Sequence, residues 1–506
     1  MRYNQGLDRS QATMFPAIMD EYITEDNPVR FLDAYIDTVD LSKFGFIHAE
    51  PKSTGRKPYN PADLLKLYIY GYLNHPRSGR KLERETHKNI EVIWLLRGLK
   101  PDFKTICDFR KDNRKGIKKV CREFILFCRE LDLFSLELIG IDGSKFAAVN
   151  HSKKAFTKTK LEKLVKKIDQ SIDKYLEDIE QNDEKEKDIN KPTVDQLKEK
   201  IKTLKKRKQT FQEYENELIK TGKKQIVITD PDSRIMRTGH RGQDVCYNVQ
   251  IAVDEKYKLI AAFDITNEEN DVHQLHNMAN KVKNQFQLDS LQTVADLGYV
   301  EKNEIKKCHD DNIECFLPKD KKSQNNKLNL YTNKDFKYDP KNDCYMCPAK
   351  QQLKGTKFRV KNNKKEKVYW TSACRQCKQK SKCTRSKDIR HIYRWEHEDI
   401  IDNMRERVQM HPEIIAARRD MVEHPFGTIK HSMGHHYFLC KGLEMVKTEL
   451  SLSILAYNIK RVLNIIGAKE LIQIVKMRMI KDNPFKKFST PFIYYFRLIF
   501  RFLALQ

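Results

Sequence analysis

The sequence predicts an α/β protein in which a helical N-terminal domain precedes a mixed β-sheet with flanking helices, and two insertions interrupt the sheet. Three observations support this class. A helical period runs through about the first 130 residues, short apolar runs of strand length follow it, and two later stretches differ sharply in composition. At 506 residues the chain is too long for one ordinary hydrophobic core, so we expect several domains.

The charge of the chain indicates a polyanionic partner. The formal net charge is +26 and the pI is about 9.4. An excess this large favours nucleic acid, whose phosphates bind basic proteins with release of counterions. A membrane surface is the rival partner, and association with ribosomes is a weaker third. No secretion signal is visible at the start of the sequence, so we expect a cytoplasmic protein.

Residues 1–130 are predicted to be helical and to bind DNA. In "NPADLLKLYIYGYL", Asn60 is a favoured N-cap residue, Pro61 occupies the first helical position, and apolar residues recur at helical spacing. Short helices joined by tight turns, with basic residues near their ends, fit a helix-turn-helix unit. The candidate DNA contacts here are Arg77, Arg80, Lys81 and Arg110. The alternative is a helical bundle with a basic surface.

The apolar period then changes, which predicts a core sheet over residues 131–152 and 221–318. The run "LELIGIDGSKF" indicates a buried strand ending in Asp142, and "SLQTVADLGYV" indicates another ending in Asp296. Between them, "DVCYNVQIAVD" and "KLIAAFDITN" indicate two strands joined by a turn, and a helix follows from about Asp271. A helix and the strand "IECFLP" come last. We expect helices within residues 396–480 to complete this core.

The first insertion, residues 153–220, is dominated by charged residues. A heptad seam runs through it, which predicts an antiparallel helical hairpin. The seam residues are Leu161, Val165, Ile168, Ile172, Tyr175, Ile179, Val194, Leu197, Ile201 and Leu204. The charges fit a solvated face, and a contact with DNA or with a second copy is the alternative.

The second insertion, residues 319–395, is rich in cysteine. The motifs "CYMC" and "CRQCKQKSKC" leave 26 residues between Cys347 and Cys374, and paired CxxC motifs are typical of tetrahedral zinc. The predicted ligands are Cys344, Cys347, Cys374 and Cys377, with Cys383 able to replace Cys377. Free thiols in a basic loop are the alternative.

The chain closes with an apolar and basic tail, residues 481–506, which is too short to span a bilayer and is interpreted as a packed or interfacial helix.

Three carboxylates stand out as a candidate site. Asp142 and Asp296 each follow a predicted buried strand, where an unpaired charge is costly and a metal ion is a suitable partner. Glu423 lies on a late helix, one turn after Arg419. Two Mg²⁺ ions held by such carboxylates can carry out phosphodiester chemistry. The alternative for Arg419 and Glu423 is a solvated ion pair, which is worth little.

Several motifs together carry a resemblance to a known family. They are "IGIDGSKF", "TDPDSRIM" followed by "YNVQIAVD", "VADLGY" and "RRDMVEHPFGTIK", and they occur in order along the chain. The chain resembles the DDE transposases of bacterial insertion sequences, in the group named after insertion sequence 1182. The N-terminal segment "YNPADLLKLYIYGYLNHPRSGRKLERE" and the late segment "FLCKGLEMVKTELSLSILAYNIKR" are also similar to that group.

The resemblance implies a ribonuclease-H-like catalytic core in which Asp142, Asp296 and Glu423 bind two Mg²⁺ or Mn²⁺ ions. It also implies that Arg419 and Lys430 belong to a family pattern of Tyr, Arg, Glu and Lys, of which the Tyr position is here Ala416. Pro425 predicts a kink between Glu423 and Lys430. Other acids near the motifs, Asp230, Asp232 and Asp271, are interpreted as parts of a proline turn and a helix N-cap. Further candidate phosphate contacts are Arg234 and Arg237, with a generic basic surface as the alternative.

The expected function is therefore that of a transposase. It would bind the terminal inverted repeats of its element, cleave double-stranded DNA at the element ends and join the 3′-hydroxyl groups to target DNA. Because two ends must be held together, we expect a homodimer or a larger assembly on DNA. Two other classes remain open, namely a metal-dependent nuclease of the same fold without strand transfer, and a non-catalytic, domesticated DNA-binding protein.

Overall fold

The computed structural model describes residues 18–50, 57–150, 152–183, 193–239, 242–318, 325, 328–361 and 364–481. Nearly all of the predicted C-terminal tail therefore lies outside the described residues. Within these ranges, no helix is both long enough and apolar enough to cross a membrane.

The helices of the described residues, in chain order, are α1 (Pro28–Asp37), α2 (Pro61–Leu73), α3 (Gly79–Lys88), α4 (Ile90–Leu95), α5 (Phe103–Asp112), α6 (Arg114–Glu130), α7 (Lys158–Asp183), α8 (Val194–Thr221), α9 (Leu275–Phe286), α10 (Lys302–Asp310), α11 (Lys380–Cys383), α12 (Glu398–Met410), α13 (Pro412–Gly427), α14 (Leu443–Ile466) and α15 (Ala468–Lys481). A π-helical turn, Thr428–Ser432, follows α13 directly.

The strands are β1 (Leu138–Ala147), β2 (Ala155–Thr157), β3 (Gln225–Val227), β4 (Arg234–Thr238), β5 (Gly242–Asp254), β6 (Ile260–Thr266), β7 (Leu291–Val294), β8 (Ile313–Phe316), β9 (Lys337–Asp339), β10 (Cys344–Met346), β11 (Gln352–Lys361), β12 (Lys364–Trp370) and β13 (Ile392–Trp395). The predicted mixed α/β class is confirmed.

The described residues divide into two compact units. The first is helical and comprises α1–α6 with Thr428–Cys440 and Glu444 onward. The predicted start of α2 is confirmed, because the Asn60 side chain accepts a hydrogen bond from the Ala62 N–H and Pro61 begins the helix. Aromatic side chains of α1 and α6, including Tyr35 and Phe124, pack ring against ring at the centre of this unit.

A buried ion pair ties the N-terminal helices of the helical unit to α14. Arg77 and Glu449 are 5% and 0% exposed, and Arg77 Nη1 lies 3.5 Å from Glu449 Oε1. Arg77 also donates to the backbone carbonyls of Gly434 and Tyr437, while Glu449 accepts from the Leu439 N–H. Both terminal nitrogens of Arg77 and both carboxylate oxygens of Glu449 therefore have polar partners within the unit, as burial demands.

Two of the arginines predicted to contact DNA belong to this interior. Arg77 is held as described, and Arg110, which is 7% exposed, donates to the Tyr72 hydroxyl and lies over the ring of Tyr68. Burial and the nearby Arg77 lower the pKa of His435 to about 2, so this histidine is neutral. Packing within the helical unit accounts for both arginines.

The second unit contains a sheet with the strand order β4-β5-β1-β7-β8, in which β6 also pairs with β5. β5 runs antiparallel to β1, β4 and β6, whereas β7 is parallel to both β1 and β8. The first four residues of β1 and most of β5 are buried, which explains the apolar runs in these parts of the sequence. Helix α9 packs on β5 and β6, and α13 packs on β1.

The charged insertion forms two long helices that pack antiparallel. Phe156 and Phe211 lie ring to ring near one end of the pair, and Asp169 accepts from Lys208 further along. The predicted seam residues form an apolar cluster of their own, which includes Leu161, Ile168 and Ile201. The heptad pattern thus predicted this pairing correctly.

The cysteine-rich insertion contains more structure than its sequence indicated. Five strands form an antiparallel sheet in the order β13-β12-β11-β10-β9. A separate apolar cluster supports it, formed by Phe336, Tyr345, Leu353, Tyr369 and Ile392. The sequence did not predict this sheet, because the residues of the cluster are too scattered along the chain to give a periodic signal.

Candidate active site

Asp142 and Asp296 lie side by side because β1 and β7 are parallel. The last paired residues are Gly140 and Val294, and each aspartate follows its paired residue by two positions. Both carboxylates therefore leave neighbouring strands at the same level and, by the two-residue alternation of a strand, on the same face as Gly140. The negative charge of Asp296 contributes to the raised pKa of Asp142, as expected for carboxylates on neighbouring strands.

The two aspartates differ in their local setting. Asp296 follows β7, as predicted, and caps a short 3₁₀ helix by accepting from the Gly298 N–H at 2.7 Å. Asp142 does not end its strand. β1 continues to Ala147, since β5 pairs with it along its whole length, so that part of the prediction was wrong.

Asp142 is electrostatically unusual. Its side chain is 22% exposed, and burial raises its pKa to about 6 against the opposing effects of Arg418 and of the Gly143 N–H. Asp296 and Asp271 raise the pKa further. Arg418 Nη1 lies 3.6 Å from Asp142 Oδ1 and has no hydrogen-bond partner. A carboxylate in this position is stabilised by any additional positive charge.

Gly140 lets the helix that carries Glu423 approach the sheet. A Cβ at Gly140 would lie 3.1 Å from Val422 and 3.2 Å from Met421, which are buried residues of α13. Phe146 and Phe426 make a second contact between the same strand and helix. The face of β1 that bears Asp142 is therefore the face that α13 covers.

Gly143 faces the opposite side of β1, where a polar network lies that the sequence did not predict. Asp271 Oδ1 accepts from Gln250 Nε2 and from Asn248 Nδ2, each at 2.7 Å, and Tyr299 donates its hydroxyl to Gln250. Asp271 is not an N-cap, because α9 begins after Gln274. The paired glycines around Ile141 and Asp142 were the available signal, since each marks a close approach.

Substitution of Gly143 by alanine is expected to lower the free energy of unfolding by about 1–3 kcal/mol, as overpacked sites do. The added Cβ would lie 2.3 Å from Gln250 Nε2 and 2.6 Å from Asp271 Oδ1. Urea denaturation measures this loss. Gly427→Ala is the control, because nothing lies within 4 Å of that Cβ and stability should be unchanged or slightly higher. Equal effects of the two substitutions would contradict the packing described for Gly143.

Glu423 lies on α13, as predicted for a late helix, but its side chain points to solvent. It is 61% exposed and accepts from Arg419 Nε at 2.8 Å, and Arg419 is itself 78% exposed. Among the described residues, no three His, Cys, Asp or Glu side chains stand at a spacing that would hold a metal ion. The helix continues through Pro425 to Gly427, and Lys430 falls in the π-helical turn.

The segment "TDPDSRIM" has a structural role in the second unit. Asp230, fully buried, accepts from the Tyr247 hydroxyl and from the Gly442 N–H, and Asp232 accepts from the Leu443 N–H. Arg234 is half-buried and donates to the carbonyls of Pro231 and Ser233. Arg237 is exposed. The predicted proline turn thus also binds the backbone of Gly442 and Leu443, just where α14 begins.

Comparison with known proteins identifies the class. Residues 17–112 match a transposase domain family (DUF772), and residues 322–463 match the family described as Transposase DDE domain. Both descriptions are of transposases. Together the two matches support a DDE transposase of an insertion sequence. The second match contains Glu423 but begins at residue 322, after Asp142 and Asp296, so both aspartates lie outside it.

Two further comparisons add little. No curated protein matches the chain. A cryo-EM structure of the piggyBac transposase synaptic complex with hairpin DNA aligns with 93% of this chain and 84% of its own, at 9% identity and a TM-score of 0.33. A likeness this weak carries no conclusion about the site.

Proposed function

We propose that this transposase cleaves DNA at the ends of its element and joins the freed 3′-hydroxyl groups to target DNA, using Asp142, Asp296 and Glu423. The observation that carries the proposal is the matching position of two aspartates on the parallel neighbours β1 and β7. Asp142 and Asp296 each come two residues after the last paired residue of their strand. Helix α13, which bears Glu423, covers the same face of β1. On one side of β1 the sheet contains β5 with β4 and β6, which pair antiparallel, and on the other side it contains β7 and β8, which pair parallel. This order supports a ribonuclease-H-like core.

The side chains present suit a hard divalent cation. All three are carboxylates, and oxygen ligands are those that Mg²⁺ and Mn²⁺ prefer. The raised pKa of Asp142, with a second carboxylate beside it, is the electrostatic condition that a cation relieves. When bound, two such ions would activate the attacking oxygen and stabilise the leaving oxygen at phosphorus.

Glu423 would have to turn away from Arg419 to join the aspartates. The pair is exposed on both sides, and exposed ion pairs contribute only about 0–1 kcal/mol, so the rotation costs little. The same rotation would release the Arg419 guanidinium, which is suited to a phosphate by its forked donors. Arg418 supplies a positive charge to Asp142 before any cation arrives.

The helical unit would recognise the element ends. Arg80 and Lys81 are exposed at the start of α3, and Ser78 caps that helix by accepting from the Lys81 N–H. The net charge of +26 supports contact with the DNA backbone. Simultaneous capture of two ends requires a dimer or a larger assembly.

The direct experiment uses labelled double-stranded DNA that carries the terminal repeats, the purified chain and Mg²⁺, with EDTA as the control. Cleavage at the repeat ends followed by joining to a target plasmid is the expected result. DNA with pre-cut 3′ ends separates the two enzymatic alternatives, because a nuclease without strand transfer leaves it unjoined. DNA binding without cleavage would overturn the proposal in favour of a non-catalytic protein.

The double substitution Arg80→Ala with Lys81→Ala is expected to weaken binding to the repeats and to reduce the slope of log K against log salt by about 2. The measurement is fluorescence anisotropy at several salt concentrations. Lys88→Ala, at the other end of α3 and 59% exposed, is the matched control. If Lys88→Ala alters the slope as much as the double substitution does, α3 does not present its first turn to DNA.

A further inference from the structure

We infer that Cys347, Cys374, Cys377 and Cys383 form a closed tetrathiolate zinc site in the cysteine-rich insertion, and that Cys344 is not a ligand. All four proposed ligands line one small cavity of about 30 Å³, and Cys344 does not. The spacing of the cysteines alone favoured Cys344 as a ligand and left Cys383 as a substitute. This inference does not depend on the proposed catalytic chemistry.

Cys344 has a different environment. It is 2% exposed, lies within β10, and pairs across the sheet with Lys354 of β11 and Asp339 of β9. Its sulfur accepts a hydrogen bond from Gln352 Nε2 at 3.0 Å. Cys344 thus behaves as a small buried side chain of the sheet, and its thiol is already satisfied.

Cys347 begins a tight turn of the kind that prepares a thiolate for a metal. The Lys350 N–H donates to the Cys347 carbonyl at 2.8 Å, and Lys350 adopts a left-handed backbone conformation with a φ of 57°. The next residue then donates its backbone N–H to the sulfur, since Gln351 N lies 3.3 Å from Cys347 Sγ. A hydrogen bond from the backbone to the sulfur holds the side chain in one orientation, as second-shell contacts do for metal ligands.

The other three sulfurs come from one segment between β12 and β13. Cys374 and Cys377 lie in and just after the short helical turn Ser372–Gln376, and Cys383 ends α11. Their three thiols line the same small cavity as the thiol of Cys347. Four thiols this close repel one another as thiolates unless a cation lies among them.

The cavity suits one ion. A volume of about 30 Å³ is that of a site for one or two waters, and a tetrahedral Zn²⁺ has sulfur ligands at about 2.3 Å. Among the described residues the sulfurs do not yet stand at metal-holding spacing, so binding would draw them inward. Lys380 and Arg390 also line the cavity and would offset the net negative charge of four thiolates around Zn²⁺.

The position indicates a structural role. Cys347 and Cys383 pack against the apolar cluster of the five-stranded sheet, so the metal would extend that core and join the turn after β10 to the segment before β13. Four protein ligands leave no open position for substrate, as in structural zinc sites. The site would hold the insertion together without taking part in the chemistry on DNA.

The test compares zinc content in the full-length chain, purified from zinc-supplemented cells. Inductively coupled plasma mass spectrometry should find about one Zn²⁺ per wild-type chain and per Cys344→Ser chain, and a loss of at least tenfold in Cys374→Ser and Cys383→Ser. Zinc retained by Cys383→Ser but lost by Cys344→Ser would overturn the ligand set. A wild-type chain without zinc would overturn the site altogether.

A spectroscopic measurement covers variants that fail to fold. Wild-type chain in which Co²⁺ replaces Zn²⁺ should show the strong visible absorption of a tetrahedral thiolate site, and Cys344→Ser should show the same spectrum. A spectrum without thiolate charge transfer would contradict the inference. Asp142→Asn should keep full zinc content, so failure of the catalytic proposal and failure of the zinc site give different results.

Discussion

Asp142→Asn, Asp296→Asn and Glu423→Gln are each expected to lower DNA cleavage by about 1,000-fold or more while leaving binding to the terminal repeats within about threefold of wild type. Each change removes a charged ligand of a metal whose stabilisation of the transition state is worth several kcal/mol, and every 1.4 kcal/mol is tenfold in rate. The measurement is single-turnover cleavage of labelled repeat DNA in Mg²⁺.

Asp420→Asn is the matched control for the helix. Asp420 lies on α13 three residues before Glu423, is 80% exposed, and pairs with Lys258 at 3.2 Å. Its loss should change the cleavage rate by less than about threefold, since an exposed ion pair contributes little. Full cleavage by Glu423→Gln would remove Glu423 from the site and leave the solvated ion pair with Arg419 as its whole role.

Glu449→Ala is expected to lower the free energy of unfolding of the helical unit by about 3–5 kcal/mol, because it leaves Arg77 buried without its partner. Two backbone N–H groups, those of Leu439 and Cys440, would lose their acceptor as well. Urea denaturation followed by circular dichroism measures the loss. Arg77→Ala should cost a similar amount, and the double variant less than the sum, since both act on one pair.

Lys118→Ala is the matched control, because the partner of Lys118 lies on α14, the helix that carries Glu449. Lys118 pairs with Glu444 of α14 at 2.8 Å, but the two side chains are 31% and 64% exposed. Its removal should cost less than about 1 kcal/mol. A Glu449→Ala variant no less stable than Lys118→Ala would contradict the buried network and would return Arg77 to the candidates for DNA contact.

Local rules allowed much of the fold to be predicted. The N-cap at Asn60, the hairpin seam through Ile168 and Ile201, and the strand before Asp296 depend on residues close in sequence, and the structure has each of them. The level of Asp142 and Asp296 follows from parallel pairing between strands about 150 residues apart. The sequence predicted that both segments are strands, but it did not predict that they pair with each other.

Features that depend on distant contacts were not predictable. The burial of Arg77 results from its partner Glu449, some 370 residues later, and nothing near Arg77 in the sequence indicates it. The proposed replacement of Cys344 by Cys383 among the zinc ligands depends on the burial of Cys344 in β10, which only the pairing of the strands reveals. Asp271 was interpreted as a helix cap from its local sequence. Its contacts with Asn248 and Gln250 form across the sheet, so neighbouring residues gave no sign of them.

The most direct test of the central idea is anomalous scattering from Mn²⁺ in crystals of the protein bound to terminal-repeat DNA. We expect Mn²⁺ within about 2.0–2.4 Å of carboxylate oxygens of both Asp142 and Asp296, with Glu423 turned inward to complete the ligand set. Mn²⁺ bound only elsewhere, or Glu423 still paired with Arg419 while DNA occupies the site, would contradict the catalytic assignment.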